Sequence, residues 1–272
     1  MNAYANLAQI KSPGWLNIPS TQYDIDLLRI AEDMSRDIDT LTNTFFYCYE
    51  GIRYYDGTAV TIFFNDDILS VSSLACDWDG SKSYASAYLP TDYILYPLNK
   101  YPKRFAKVAT VSNYPGFANN IRSGVKVTGV FGYADTPIPY VSSGDSVQND
   151  PLSDSDTKLS VTIGGNFSAG QTLRIGSEQC YVLVAVGNDL TIIRNCNGTT
   201  AASHAKNTKI YIYQYFGPIV EATLIQLTRI WERRKSGFQD AVVTPGFSQL
   251  LVYKGLDDDV KLRIQRVMRR TF

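Results

Sequence analysis

The side chains that could do chemistry are few and scattered. The only histidine, His204, excludes any site built on two imidazoles, the H-E-x-x-H zinc hydrolases included. It lies in a small-residue run, residues 199–204, that reads as a loop between strands. There it could serve Cys180 or Cys196 as a Cys–His dyad, although a surface or turn histidine without catalytic duty is the expectation. The four cysteines, Cys48, Cys76, Cys180 and Cys196, lie far apart with no C-x-x-C pair, so buried free thiols are expected. Acidic groupings occur at Asp66-Asp67, Asp77-Trp78-Asp79 and Asp257-Asp258-Asp259. A glycosidase pair or a calcium site could draw on them, but the loop after Asp77 lacks the closing Glu of a twelve-residue calcium motif and reads as a turn. There is no G-x-S-x-G elbow, phosphate-binding loop or strand-linked G-x-G-x-x-G. The sequence therefore assigns no catalytic residue, no metal and no cofactor.

Composition narrows the field further. Twenty-six Lys and Arg balance 26 Asp and Glu over 272 residues, a poor platform for gripping nucleic acid, which needs a basic surplus. A hydrophobic share of 44% with 19% charged residues describes a folded chain. No run of about 18 apolar residues is available to span a membrane, and the first residues lack a signal peptide's charged and apolar regions. Two formal glycosylation matches, at Asn166 and Asn197, carry little weight without such a signal. A reducing cytoplasm is the expected site of synthesis.

The elements that would position these residues follow from periodicity. Leu28, Ala31, Met34, Ile38, Leu41 and Phe45 recur at steps of three and four, which predicts a helix over residues 23–44. Thr21 and Asp24 have capping-box spacing at its start. The opposite face carries Asp24, Asp26, Glu32, Asp33, Asp37 and Asp39 against Arg29 and Arg36, either a solvated face or an interface for a basic partner. Residues 47–133 alternate like short strands with turns at Asp56-Gly57 and around 113–124. Residues 142–157 hold four Asp, five Ser and no Lys or Arg, and read as a solvated linker. Strands are predicted near 159–163, 171–175, 180–186, 190–194 and 209–213, enough for a small barrel or sandwich. Helices are predicted over 218–235, with Pro218 in the first turn and Gly237 just beyond the end, and over about 257–270.

The resulting expectation is an α+β protein: a helical bundle body with a small β-sheet formed by residues 1–136 and 218–272, and an inserted all-β domain at 137–217. The zero net charge hides a polarity. Residues 1–60 hold four basic and eight acidic side chains, whereas residues 218–272 hold ten and six. Lys261, Arg263, Arg266, Arg269 and Arg270, followed by Thr271-Phe272, form either a solvated helix end or a docking tail with an aromatic anchor.

The order of these features resembles the head–tail connector, or adaptor, family of tailed bacteriophages. The resemblance rests on the helix pattern Leu27-Leu28 to Ile38-Asp39, the aromatic segments Phe45-Phe46-Tyr47 and Tyr54-Tyr55-Asp56-Gly57, Asp66 to Val71, and Thr91 to Asn99. It continues through Val125 to Tyr133, Arg229-Ile230-Trp231-Glu232-Arg233-Arg234 and a terminal helix ending in Arg-Arg. It covers about residues 1–136 and 218–272. Residues 137–217 depart from the family's compact form, and Gly170 to Gly176 and Asn195 to Ala205 look like small β modules of other phage structural proteins. The resemblance implies a virion protein of the neck, assembled in the host cytoplasm, without turnover. It would form a ring, usually twelve-fold, between the portal and a stopper or tail-completion protein, with DNA only in transit and no membrane partner. Arg263, Arg266, Arg269, Arg270 and Phe272 would dock on the portal by analogy. Asp26, Asp33, Asp37, Arg233 and Arg234 are the candidate contacts between protomers. The β insertion would project outward towards a collar or fibre protein. The alternative is a tail, baseplate or collar protein whose β domain binds carbohydrate or a fibre; a carbohydrate-active enzyme using paired carboxylates is a further rival.

Overall fold

Aromatic and β-branched residues between positions 49 and 131 build a six-stranded antiparallel sheet in this computed structural model, which describes residues 2–235, 237, 241–243, 250–252 and 256–269. Its strands are β1 (Tyr49–Tyr55), β2 (Thr61–Cys76), β3 (Ser86–Tyr88), β4 (Tyr93–Tyr96), β5 (Lys103–Val108) and β6 (Val125–Phe131), in the order β1-β6-β2-β5-β4 with β3 beside β2. Strand β6 alternates buried Val125, Val127 and Phe131 with half-buried neighbours, the period expected of a strand with one face on a core. That core holds Ile62, Phe64, Ile68, Leu74 and Phe117. In the middle of β6, Gly129 is required by close packing: a Cβ there would lie 2.1 Å from the Ser70 carbonyl oxygen. Residues 59–64 and 68–74, separate strands by their pattern, belong to the one long β2, whose register shifts three times against its neighbours.

A second antiparallel sheet has the order β7-β12-β9-β10-β11-β8, with β7 (Tyr140–Ser146), β8 (Lys158–Ser160), β9 (Thr172–Ile175), β10 (Glu178–Val186), β11 (Asp189–Ile193) and β12 (Lys209–Tyr213). Its two end strands meet. The Gln148 amide donates to the Ser160 carbonyl at 2.9 Å, and the Asp145 carboxylate accepts the Thr162 and Ile163 amides at 3.1 and 2.6 Å. The sheet thereby closes around Val147, Leu152, Leu159, Leu173, Ile175, Val182 and Leu190. Residues 142–157 are thus not a solvated linker. Their short polar side chains bond to backbone, as when Ser143 Oγ donates to the Ile210 carbonyl at 2.7 Å, while Val147 and Leu152 are fully buried.

The helices are α1 (Leu7–Lys11), α2 (Asp24–Thr42), α3 (Gly217–Lys235) and α4 (Asp258–Gln265), and a short hairpin, β13 (Ala241–Val243) with β14 (Leu250–Val252), lies between the last two. This corrects the expectation of a helical bundle body: two six-stranded sheets dominate, and the helices form one thin layer. Strand-forming residues outnumber the helical ones, and two helices of 19 residues with two short ones enclose little core by themselves. Within the layer Leu27, Leu28 and Ala31 of α2 pack on Leu224, Leu227 and Trp231 of α3. Ile38 meets Ile219 and Ala222 of α3, Val260 and Ile264 of α4, and Val267. The expected capping box is absent: Tyr23 holds the N-cap position without a side-chain bond, and Asp24 instead pairs with Lys11 at 2.6 Å.

The segment preceding α1 binds these parts together. Asn2, Ala3, Tyr4 and Ala5 are all buried. Asn2 exchanges amide hydrogen bonds with Asn197 at 2.7 and 3.1 Å, and its carbonyl accepts from Arg36 of α2. The Tyr4 amide donates to Ser35 Oγ at 2.9 Å. The Tyr4 hydroxyl donates to Asp39 at 2.5 Å and accepts the Phe46 amide at 2.9 Å. Leu7 N donates to the Ala169 carbonyl of the barrel. Burial pushes Asp39 up to about 7 against the pull of Arg36, 3.0 Å away. Tyr4→Phe leaves the buried Phe46 amide unsatisfied, a loss of about 2 kcal/mol and roughly 4–8 °C in Tm by calorimetry. A change below about 1 °C would show that the hydroxyl contributes nothing.

Candidate interaction surface

The expected site residues divide into those used inside the protomer and those left at its surface. Asp26 and Arg234, proposed as facing charges on different protomers, lie 3.8 Å apart within one chain. Arg234 also stacks over Trp231 and Tyr23, 4.3 and 5.1 Å from their ring centroids. The pair follows from the packing of α2 on α3, and both side chains stay close to half exposed. Arg233 lies on the same last turn of α3. Asp33 and Asp37 are exposed and form no ion pair among the described residues.

The basic tail is divided in the same way. Arg263 of α4 reaches Glu221 of α3 at 3.0 Å, and Arg266 is exposed. Arg269 is not free to dock elsewhere. Its amide donates to the Thr42 carbonyl at 2.8 Å, its guanidinium donates to the Phe64 carbonyl, and it lies 3.5 Å from Asp67. Asp67 is buried in β2, where it accepts from Thr44 at 3.0 Å and faces Arg104 at 3.4 Å. Burial raises its carboxyl against the pull of Arg269 and Arg104. Asp66, beside it, pairs with Arg53 at 2.6 Å. Asp67 therefore ties the segment after α4 to the first sheet, while Asp66 is held by Arg53 within that sheet. Arg270 and Phe272 lie outside the described residues.

Packing of α2, α3 and α4 leaves a cleft of about 310 Å³ lined by Met34, Ile38, Leu41, Leu256 and Val260, with Asp37, Thr40 and Gln226 at its edge. The apolar stripe expected on α2 is wider than the part its neighbours cover. Leu28, Ala31 and Ile38 are buried, whereas Leu41 is 43% exposed. On the first sheet, Phe63, Phe105 and Tyr96 lie in register across β2, β5 and β4, with ring centroids 5.6 and 5.1 Å apart, and Phe63 is 70% exposed.

His204 has a role that its loop-like surroundings hide. It is buried, and Nε2 lies 2.8 Å from Glu178 at the start of β10. Glu178 is fully buried and takes a bidentate pair of bonds from Arg194, both 2.7 Å, and the amides of Ala202 and Asn195. Arg194 donates its remaining hydrogens to the Ser153, Asp156 and Ala202 carbonyls. The cluster ties three loops to the barrel. The dyad reading fails on geometry, because Nε2 faces Glu178, and burial raises the thiols of Cys180 and Cys196. A charged residue heading the apolar run Glu178 to Val186 is the one signal in the sequence that could have pointed to this cluster.

Burial alone would raise Glu178, but the bonds from Arg194, His204 and the two amides outweigh it and bring the carboxyl down to about 2 from an ordinary 4.5. A depressed acid stabilises the fold fully above its unfolded value and loses that contribution as pH falls through the folded one. Glu178→Gln leaves Arg194 buried without its counter-charge, a loss of about 3–5 kcal/mol at pH 7. Denaturant unfolding of wild type and variant should show that gap shrinking between pH 4.5 and 2; an equal gap at pH 7 and at the acid end would refute this account.

No protein-family model matches the chain, and its sequence matches no curated protein. Among the described residues no helix is long and apolar enough to cross a membrane, and no cluster of three or more His, Cys, Asp or Glu could hold a metal ion.

Proposed function

We propose that this chain is a structural component of the tailed-bacteriophage neck, an adaptor that assembles into a ring between the portal and the stopper or tail-completion protein and acts without turnover. The observation that carries the reading is the outer surface of the helical layer. There, Asp37 lines the open apolar cleft, with Asp33 one turn before it on α2. Neither forms an ion pair among the described residues, and Arg266 is exposed at the C-terminal end of α4. Unlike faces on one protomer suit an adaptor, which meets different partners on the two sides of its ring. The ordered sequence resemblance across residues 1–136 and 218–272 supports the same reading.

The internal pairs narrow which residues are offered to neighbours. Asp26 with Arg234, Arg263 with Glu221 and Arg269 with Asp67 act mainly within the protomer, so Asp33, Asp37 and Arg266 are the better candidates for contacts outside it. The barrel exposes Ile163, Val184 and Val186 around one end. Aliphatic side chains there suit a collar or fibre protein better than a sugar, which stacks on exposed aromatic rings.

Purified chain added to DNA-filled, portal-bearing heads that lack it should appear in electron micrographs as a ring at the portal vertex and restore tail joining. The Arg266→Glu variant, at an exposed position, should reduce occupancy at least tenfold while keeping the wild-type Tm. Heads that join tails equally well without the chain, or density elsewhere on the particle, would contradict the proposal.

A further inference from the structure

The cleft between α2, α3 and α4 has a chemistry specific enough to define its occupant. Along α2, Met34, Ile38 and Leu41 follow one another at steps of four and three, and Asp33 and Asp37 form a parallel row one residue away. An apolar row flanked by an acidic row on one helix face is complementary to a helix with the same apolar spacing and basic flanks. Leu256 and Val260 form the opposite wall.

Charges on the facing elements do not cancel the acidic row. Asp257 is paired with Arg229, Glu221 with Arg263, and Lys261 with Asp258, so the excess beside the cleft is that of Asp33 and Asp37. The cleft volume, about 310 Å³, lies at the lower end of the roughly 300–1,000 Å³ typical of small-molecule pockets. Its open, apolar lining suits a few anchor side chains of a docked helix.

A second copy of the chain offers a poor match among its described helices. Helix α3 buries Ile219, Ala222 and Leu227, α4 spans only eight residues and exposes Leu262 as its one large apolar side chain, and the free face of α2 is itself acidic. We therefore infer that the cleft between α2, α3 and α4 is a docking groove for a basic amphipathic helix of a different protein, with apolar anchors between Met34, Leu41 and Val260 and Lys or Arg side chains against Asp33 and Asp37. This goes beyond the adaptor reading and is tested on the purified chain, whatever particle the chain serves.

The probe is a synthetic peptide of about 15 residues with Leu at i, i+3, i+4 and i+7 and Lys elsewhere, titrated against isotope-labelled full-length chain by NMR. Binding should occur with Kd of order 10–100 μM at low salt and shift resonances of α2 and α4. Asp33→Asn/Asp37→Asn should weaken it about tenfold. Leu41→Glu, at a half-exposed position, should also weaken it about tenfold although it adds a negative charge. A shuffled peptide of the same composition should bind at least tenfold less tightly. Equal binding of the shuffled peptide, or tighter binding to Leu41→Glu, would reduce the effect to charge attraction and overturn the inference. Self-association of the chain that Leu41→Glu abolishes would make the occupant a second copy and overturn it equally.

Discussion

Tyr4 sits where every large part of this molecule meets. Its ring packs edge-on against Phe46 and Tyr215 at 5.6 and 5.0 Å, and its backbone and hydroxyl bond to α2 and to the approach to the first sheet. Two residues earlier, Asn2 is bonded to the barrel loop at Asn197 and to Thr172 of β9. Sheet, barrel and helical layer each have a core of their own, and the buried segment makes their relative placement specific. The barrel also contacts the first sheet directly: Arg174 pairs with Glu50 at 2.7 Å, and the Glu50 amide donates to the Asn197 carbonyl. Gly198 allows that approach, since it has φ of +83° and a Cβ would lie 1.9 Å from the Glu50 carbonyl oxygen.

Charges that look complementary along the sequence are used first to hold the protomer together, as Asp26 with Arg234 and Asp67 with Arg269 show. What remains outside is smaller and more specific: two aspartates beside an apolar seam, an exposed arginine at the end of α4, and aliphatic side chains at the end of the barrel. For the proposed ring role, firm joints between the sheets would keep the spacing of successive protomers uniform.

Local periodicity explains how much of this was legible. Helix α2 is recognisable from Leu28, Ala31 and Ile38, and α3 from Pro218 to the basic last turn, because apolar spacing and termini agree there. Strands β9 to β12 stand out because apolar runs alternate with Gly-bearing turns. Strand β7 does not, since Ser142, Ser143 and Asp145 give it the composition of a linker and its bonding partners lie at Ile210 and Thr162, far along the chain. Asp66 and Asp67 look like a break between strands but continue one, because Arg53, Arg104 and Arg269 neutralise them from distant positions. The helical bundle expectation failed at the same level: helices are the easiest elements to recognise, and the sheets gain their size from pairings that no short window contains. Of the candidate surface, the acidic face of α2 was readable. The cleft was not, because it consists of what α3 and α4 leave uncovered.

The central claim is that the buried segment around Tyr4 couples sheet, helices and barrel into one cooperative unit, and calorimetry of the full chain against a variant lacking residues 2–6 tests it most directly. The account predicts a single transition for the full chain and two separated transitions, barrel and remainder, for the variant. One unchanged transition in both would contradict it.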